Sequence, residues 1–154
     1  MLVRAAVEHE AEFLSALAMR AKAHWGYSAE VLERWRSELA VSPTSVRTKR
    51  TFVAVVDGQV VGFYSLASSE TSWQLDHLWV LPEFMHRGIG RALVSHALTT
   101  ALHGGAVEVT VDADPNAESF YLRCGAVRCG ELSAPIPGQP GRVRPQLLFN
   151  ARAS

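Results

Sequence analysis

The feature that most restricts the fold is a pair of β-rich runs, residues 51–56 and 60–66, joined around Asp57-Gly58. The tightest hairpin turn needs positive φ at both central positions, and Asp-Gly supplies this at low cost. The two runs are therefore expected to pair antiparallel. A third run, 73–81, follows a polar turn at 67–71 and stops at Pro82. A strand that continues a meander does not open a parallel β-α-β unit, so whatever the next helix binds, its sheet begins antiparallel.

The remaining pattern supplies helices and four more strands. Residues 2–7 read as a first strand, and 8–22 as a helix with Phe13, Leu14, Leu17 and Ala18 at helical spacing. Gly26 interrupts, Ser28 is placed to cap a second helix, and Val31, Leu32, Trp35 and Leu39 mark its face until Ser42-Pro43 ends it. Leu93, Val94, Ala97, Leu98, Ala101 and Leu102 form a third helical stripe, closed by Gly104-Gly105. Val107, Val109 and Val111 alternate as a strand. Asp114-Pro115 then starts a helix, with Asp as N-cap, that runs through Phe120 and Tyr121 to Gly125. Residues 126–132 and 143–150 read as the last strands, around the loop APIPGQPGR. The order β-α-α-β-β-β-α-β-α-β-β describes one α+β domain over residues 1–154. A chain of that length can bury ~70% of its unfolded surface without metal or disulfide.

Composition removes several function classes. Fifteen basic residues balance fifteen acidic ones, and no run of one sign forms a nucleic-acid footprint. Cys124 and Cys129 match neither a redox pair nor a zinc framework. His9, His24, His96 and His103 lack metal-ligand spacing, so no metal is expected. Glu8, Glu10 and Glu12 stand where a signal peptide needs its apolar stretch, and no segment reaches the ~20 apolar residues of a membrane span. The expectation is a soluble, cytoplasmic chain with no membrane or nucleic-acid partner.

Between the third strand and the third helix lies MHRGIG, residues 85–90. A glycine pair there is compatible with a bare tight turn. A dinucleotide fingerprint needs a third glycine where Leu93 stands, and a Walker loop needs a following Gly-Lys-Ser/Thr. A third reading is a pyrophosphate cradle: Gly88 and Gly90 let successive N–H groups face one anion, the helix N-terminus adds partial positive charge, and His86, Arg87 and Arg91 add donors.

Residues 78–93, LWVLPEFMHRGIGRAL, resemble the acetyl-CoA-binding core of the GNAT N-acetyltransferase superfamily, in which a strand leads into Q/R-x-x-G-x-G/A and a helix. Residues 117–126, AESFYLRCGA, resemble the family's A-x-x-F-Y-x-K/R-x-G-F/A element. The resemblance implies a mixed, mostly antiparallel central sheet, flanked by about four helices and splayed where the cofactor enters. It also implies acetyl-CoA as cosubstrate, with the pyrophosphate on Met85, His86, Arg87, Gly88, Ile89, Gly90 and Arg91. Pantetheine would lie against the backbone of Leu78, Trp79 and Val80. Two positions depart from the pattern. Met85 stands where Gln or Arg is usual, and Asp114 where Asn is frequent, with Asn116 nearby as a further cofactor-side residue.

The implied chemistry is acetyl transfer to a primary amine by direct attack. An alkyl amine with a pKa near ~10.4 is neutral in only about one molecule in 2,500 at pH 7. A base or a desolvating pocket must offset that deficit. The resemblance places Tyr121 as the general acid that protonates the departing thiolate. It places the base on the fourth strand, at Asp76 or at His77, which strict alternation would send to opposite faces. Helices after the first strand and the loop 133–142 are implied to cover the acceptor, a small-molecule amine, with Trp25 and Tyr27 as its aromatic wall. Related proteins often dimerise, so a homodimer is among the assemblies the resemblance allows. The rival reading is a non-catalytic acyl-CoA-binding module, in which Tyr121 and the base would be dispensable.

Overall fold

In a computed structural model, which describes residues 1–70 and 72–153, seven strands form one sheet in the order β1-β2-β3-β4-β5-β7-β6. The strands are β1 (Leu2–Ala5), β2 (Arg50–Val56), β3 (Gln59–Ser68), β4 (Trp73–Val80), β5 (Glu108–Asp112), β6 (Val127–Ser133) and β7 (Val143–Asn150). The helices are α1 (Ala11–Ala23), α2 (Ala29–Arg34), α3 (Arg36–Leu39), α4 (Pro43–Thr48), α5 (Ile89–His103) and α6 (Glu118–Arg123). The expected hairpin is present: Val56 faces Gln59 across Asp57 and Gly58, which take φ of 49° and 78°.

Every pairing is antiparallel except that of β4 with β5, which meet in parallel at one position, Gln74 opposite Thr110. Beyond it the two strands diverge, so the β4 edge from Asp76 onward has no strand beside it among the described residues. This is the expected splay. On its other side β4 pairs with β3, and the register jumps: Ser65 faces His77, whereas Leu66 faces Leu75. Asp76 is thus the extra residue of a β-bulge, and alternation no longer assigns Asp76 and His77 to opposite faces.

Helices cover both sides of this junction. A Cβ at Gly62 would stand 3.2 Å from Leu93 Cδ1, so α5 packs closely on that face of β3. The Tyr64 hydroxyl, two residues on, meets Nδ1 of His96 in α5 at 2.7 Å. Phe63 alternates to the other face, as does its β4 partner Trp79, whose ring lies beneath Lys22 of α1. Leu14, Leu17, Ala18 and Ala21 seal α1 onto the core.

Several local expectations change. Phe13 was placed on the apolar stripe of α1 but is 48% exposed, because the buried stripe begins at Ala11 and continues through Leu14. The second expected helix breaks at Trp35 into α2 and α3. Ser42-Pro43, taken as a helix end, instead opens α4: the Ser42 hydroxyl accepts from the Ser45 N–H, and proline occupies the first turn where no donor is required. β3 runs on to Ser68, which shortens the expected turn, and Thr71, its last residue, lies outside the described residues.

Candidate active site

The chain leaves β4 through a single 3-10 turn, Pro82–Phe84, closed by the Met85 N–H on the Pro82 carbonyl at 3.2 Å. His86 and Gly88 then take φ of 63° and 82°. Gly88 is the N-cap of α5, with no side chain capping the helix, and Ala92 makes the first helical bond, to the Gly88 carbonyl at 3.0 Å. Among the described residues, nothing accepts from the amides of His86, Arg87, Gly88, Ile89, Gly90 and Arg91. Such a row at a helix N-terminus is a receptor for an anion with several oxygens.

The two glycines have different duties. A Cβ on Gly88 would meet nothing within 4 Å, so glycine is needed there for its positive φ alone. A Cβ on Gly90 would stand 3.1 Å from the Phe120 ring. The second glycine therefore admits α6 against the first turn of α5, which brings the two sequence motifs into contact. Arg87 stacks over Phe84 at 5.0 Å, and Arg91 donates to the Arg123 carbonyl at 3.2 Å. Met85 is half-buried and adds no polar group.

Along the unpaired β4 edge lie the backbone groups of Leu78 and Val80, whereas those of Trp79, expected to share that role, face Phe63 of β3. Just before them, Asp76 holds Lys49 Nζ at 2.5 Å. His77 packs against Phe63, and its Nδ1 accepts from Trp79 Nε1 at 3.1 Å. Burial lowers the His77 pKa to about 4, against the raising influence of Asp76, with Lys49 lowering it further. The ring is thus neutral at pH 7. With Nδ1 accepting, its proton sits on Nε2, so the face left to a ligand is a donor, not a base.

Tyr121 is buried in α6, edge-on to Phe120 and Phe149. Its hydroxyl has no hydrogen-bond partner among the described residues. Burial raises its pKa strongly, with Cys124 and Asp114 adding to the effect, so the phenol keeps its proton throughout the neutral range.

A second assembly lies on the α1 face, and it is built from side chains. Asp114 accepts from Lys22 Nζ at 2.6 Å, from the Tyr27 hydroxyl at 2.8 Å, and from both the backbone and the side-chain nitrogen of Asn116. Arg142 donates to the Tyr27 hydroxyl at 3.0 Å and to the Ala134 carbonyl at 3.0 Å, and lies 3.6 Å from Asp114. Lys22 and Arg142 both sit over the Trp35 ring, at 4.5 and 5.1 Å. Burial alone would raise the Asp114 pKa, but the Lys22 ammonium, the Asn116 N–H and the Tyr27 hydroxyl together hold it below the usual carboxylate range. Lys22 moves down through burial, which outweighs Asp114.

This cluster floors a cleft of about 200 Å³, lined among others by Lys22, Trp35, Glu38, Ile136, Arg142 and Arg144. Of the two aromatics expected at the acceptor, Tyr27 belongs to the cluster. Trp25 is 38% exposed, packs edge-on to His24, and does not line the cleft. Asn116, expected near the cofactor, spends its side-chain donor on Asp114 and Tyr27. Lys22, Asp114 and Arg142 carried no sequence signal as a unit, although the N-cap assignment of Asp114 is correct.

Comparison with known proteins follows the same geometry. The family model described as Acetyltransferase (GNAT) domain matches residues 8–133, a span that includes β4, the cradle and Tyr121. An uncharacterized N-acetyltransferase of Escherichia coli (strain K12), YafP, is 31% identical over 119 residues, 73% of this chain and 69% of that protein. Streptothricin acetyltransferase of Streptomyces lavendulae is 38% identical over 96 residues, 58% of this chain and 50% of its own length. The chain thus spans only about half of that enzyme. Among solved structures, PaiA N-acetyltransferase from Thermoplasma acidophilum, in complex with coenzyme A, is similar with a TM-score of 0.79. That likeness covers 97% of this chain and 98% of that one at 19% identity, a likeness of fold. By its family match and its fold, the chain belongs to the GNAT acetyltransferases and is an acyltransferase.

Proposed function

We propose that the chain moves the acetyl group of acetyl-CoA to the primary amine of a small molecule by direct attack. The observation that carries this reading is the row of six free amides at 86–91, continuous with the unpaired edge of β4. Those groups need acceptors and donors from outside the chain, and a pyrophosphate on a strand-like arm offers both. Leu78 and Val80 hold the arm through backbone, with Trp79 between them bonded to β3, and the 86–91 segment holds the pyrophosphate. A streptothricin acetyltransferase among the relatives supports a small-molecule acceptor.

Acetyl-CoA supplies a thioester whose C–S bond breaks as the N–C bond to the acceptor forms, so one proton leaves nitrogen and another reaches sulfur. Tyr121 holds the proton for sulfur: its phenol stays protonated and its hydroxyl has no competing partner among the described residues. Of the two candidates for the amine proton, Asp76 is favoured over His77. The His77 acceptor nitrogen is occupied by Trp79, and its low pKa removes the driving force for taking a proton. Asp76 keeps one carboxylate oxygen free of Lys49, within the bulge that turns it out of the ladder.

The test is thiol release from acetyl-CoA over an amine panel, with Tyr121→Phe as the diagnostic variant. Loss of the proton donor is expected to lower kcat by about a hundredfold with little change in the KM for acetyl-CoA. A Tyr121→Phe enzyme with wild-type kcat at every pH would remove the role.

A further inference from the structure

The α1-side cleft carries an electrostatic imbalance. Side chains of Lys22, Arg142 and Asp114 are only 12%, 4% and 4% exposed. Two buried cations share one buried anion, so among the described residues one positive charge has no buried counter-ion. Arg144 does not alter this, because Asp112 pairs with it at 2.9 Å. Glu38 lines the same cleft from an exposed position, beyond ion-pair distance of Lys22, Arg142 and Arg144. Uncompensated buried charge is costly and is normally matched by a partner.

Arg142 shows where a partner is lacking. One terminal nitrogen donates to Ala134, the other to Tyr27, and the guanidinium is clamped against Trp35. Its Nε is buried and, among the described residues, has no acceptor. Each terminal nitrogen carries a second N–H beyond these bonds, and a guanidinium held flat in this way beside an ammonium is matched to a planar anion. Apart from Glu38 and Arg144, the rest of the lining is apolar or weakly polar (Trp35, Leu39, Pro135, Ile136), which suits a small organic molecule better than a free inorganic ion.

We propose that this cleft receives a carboxylate of the acceptor, held by Arg142 with Lys22, so that the acetylated molecule is a small amino-carboxylate. The inference rests on the acetyl-transfer reading and deepens it by naming the acceptor's second functional group. Trp35 and Ile136 then bound the body of the molecule, and amines without an anionic group leave the excess charge of the cluster unmatched.

The experiment uses the whole chain and acceptor pairs that differ only by the carboxylate: lysine with cadaverine, phenylalanine with phenethylamine, and lysine with lysinamide. Spermidine serves as a polycation. Thiol release is expected to favour the carboxylated member of a pair by roughly a hundredfold or more in kcat/KM. Arg142→Lys, which keeps the charge but loses the planar donors, should shrink that ratio by at least about tenfold. Because Arg142 braces Tyr27 and Trp35, circular dichroism and a melting curve accompany the variant. Turnover of cadaverine or spermidine equal to or better than that of the carboxylated amines would overturn the inference while leaving acetyl transfer intact. Absence of thiol release with every amine, despite saturable CoA binding, would overturn acetyl transfer. Calorimetry on the CoA complex then tests the carboxylate alone: N-acetyl-phenylalanine binding more tightly than N-acetyl-phenethylamine supports the site, and equal binding refutes it.

Discussion

The two candidate sites, the cradle at 86–91 and the cleft beside α1, are built by opposite means. The cradle at 86–91 is backbone: free amides, a positive-φ glycine and an uncapped helix, all within one short segment and largely exposed. The proposed acceptor side is side chain: Lys22, Tyr27, Trp35, Asp114 and Arg142, contributed from α1 to the last loop and tied into one network of ions and rings. A backbone receptor binds a group whose chemistry does not change, and it tolerates substitution at most of its side chains. A side-chain receptor is specific, but it stands or falls with each member. Mutations should therefore reveal the acceptor side through stability and the cradle through affinity.

The largest expected effect is at Asp114. Asp114→Ala leaves Lys22 and Arg142 without their shared anion and removes the acceptor of Tyr27 and Asn116. Breaking a buried pair from one side costs about 3–5 kcal/mol. Urea unfolding at pH 7 measures it. A loss below about 1 kcal/mol would mean that the cluster is solvated in solution and that the contrast between the two faces is misplaced.

His77 gives the next effect, and it depends on pH. Its folded pKa of about 4 lies below the ordinary value of 6.5, so between those values the unfolded chain binds the proton and the folded chain does not. Stability from the neutral ring is present above pH 6.5 and is lost as pH falls toward 4. From pH 7 to pH 5 the loss is about 2 kcal/mol. His77→Gln should flatten the stability profile over that window, read from urea midpoints at the two values. An unchanged acid slope would show that His77 is solvated and would reopen it as the base.

The same contrast explains what could be read in advance. The hairpin, the meander and the cradle were legible because Asp57-Gly58, Pro82, Gly88 and Gly90 impose local backbone geometry, and local geometry is written in adjacent residues. Tyr121 is a candidate only through its position in a second motif, and the contact of Phe120 with Gly90 shows how the two motifs meet in the fold. The Lys22–Asp114–Arg142 cluster was not legible, since its members lie far apart in the chain, with 92 positions between Lys22 and Asp114. Nothing near Lys22 distinguishes it from a solvated residue at the end of an amphipathic helix. The bulge at Asp76 was hidden for a similar reason: it exists only in the register of β4 against β3.

The smallest effect is expected at Met85, where the motif that the segment resembles has Gln or Arg. If backbone carries the pyrophosphate, a polar group there adds one hydrogen bond from a flexible, partly solvated side chain to six amides that are already aligned. Such a bond contributes about 1 kcal/mol, so Met85→Gln should tighten acetyl-CoA by less than ~10-fold. Titration of acetyl-CoA into both proteins, followed by calorimetry, measures the ratio. A larger gain would mean that the free amides at 86–91 do not align on the anion without a side chain to place it, and the cradle would then belong with the acceptor cleft as a site made by side chains.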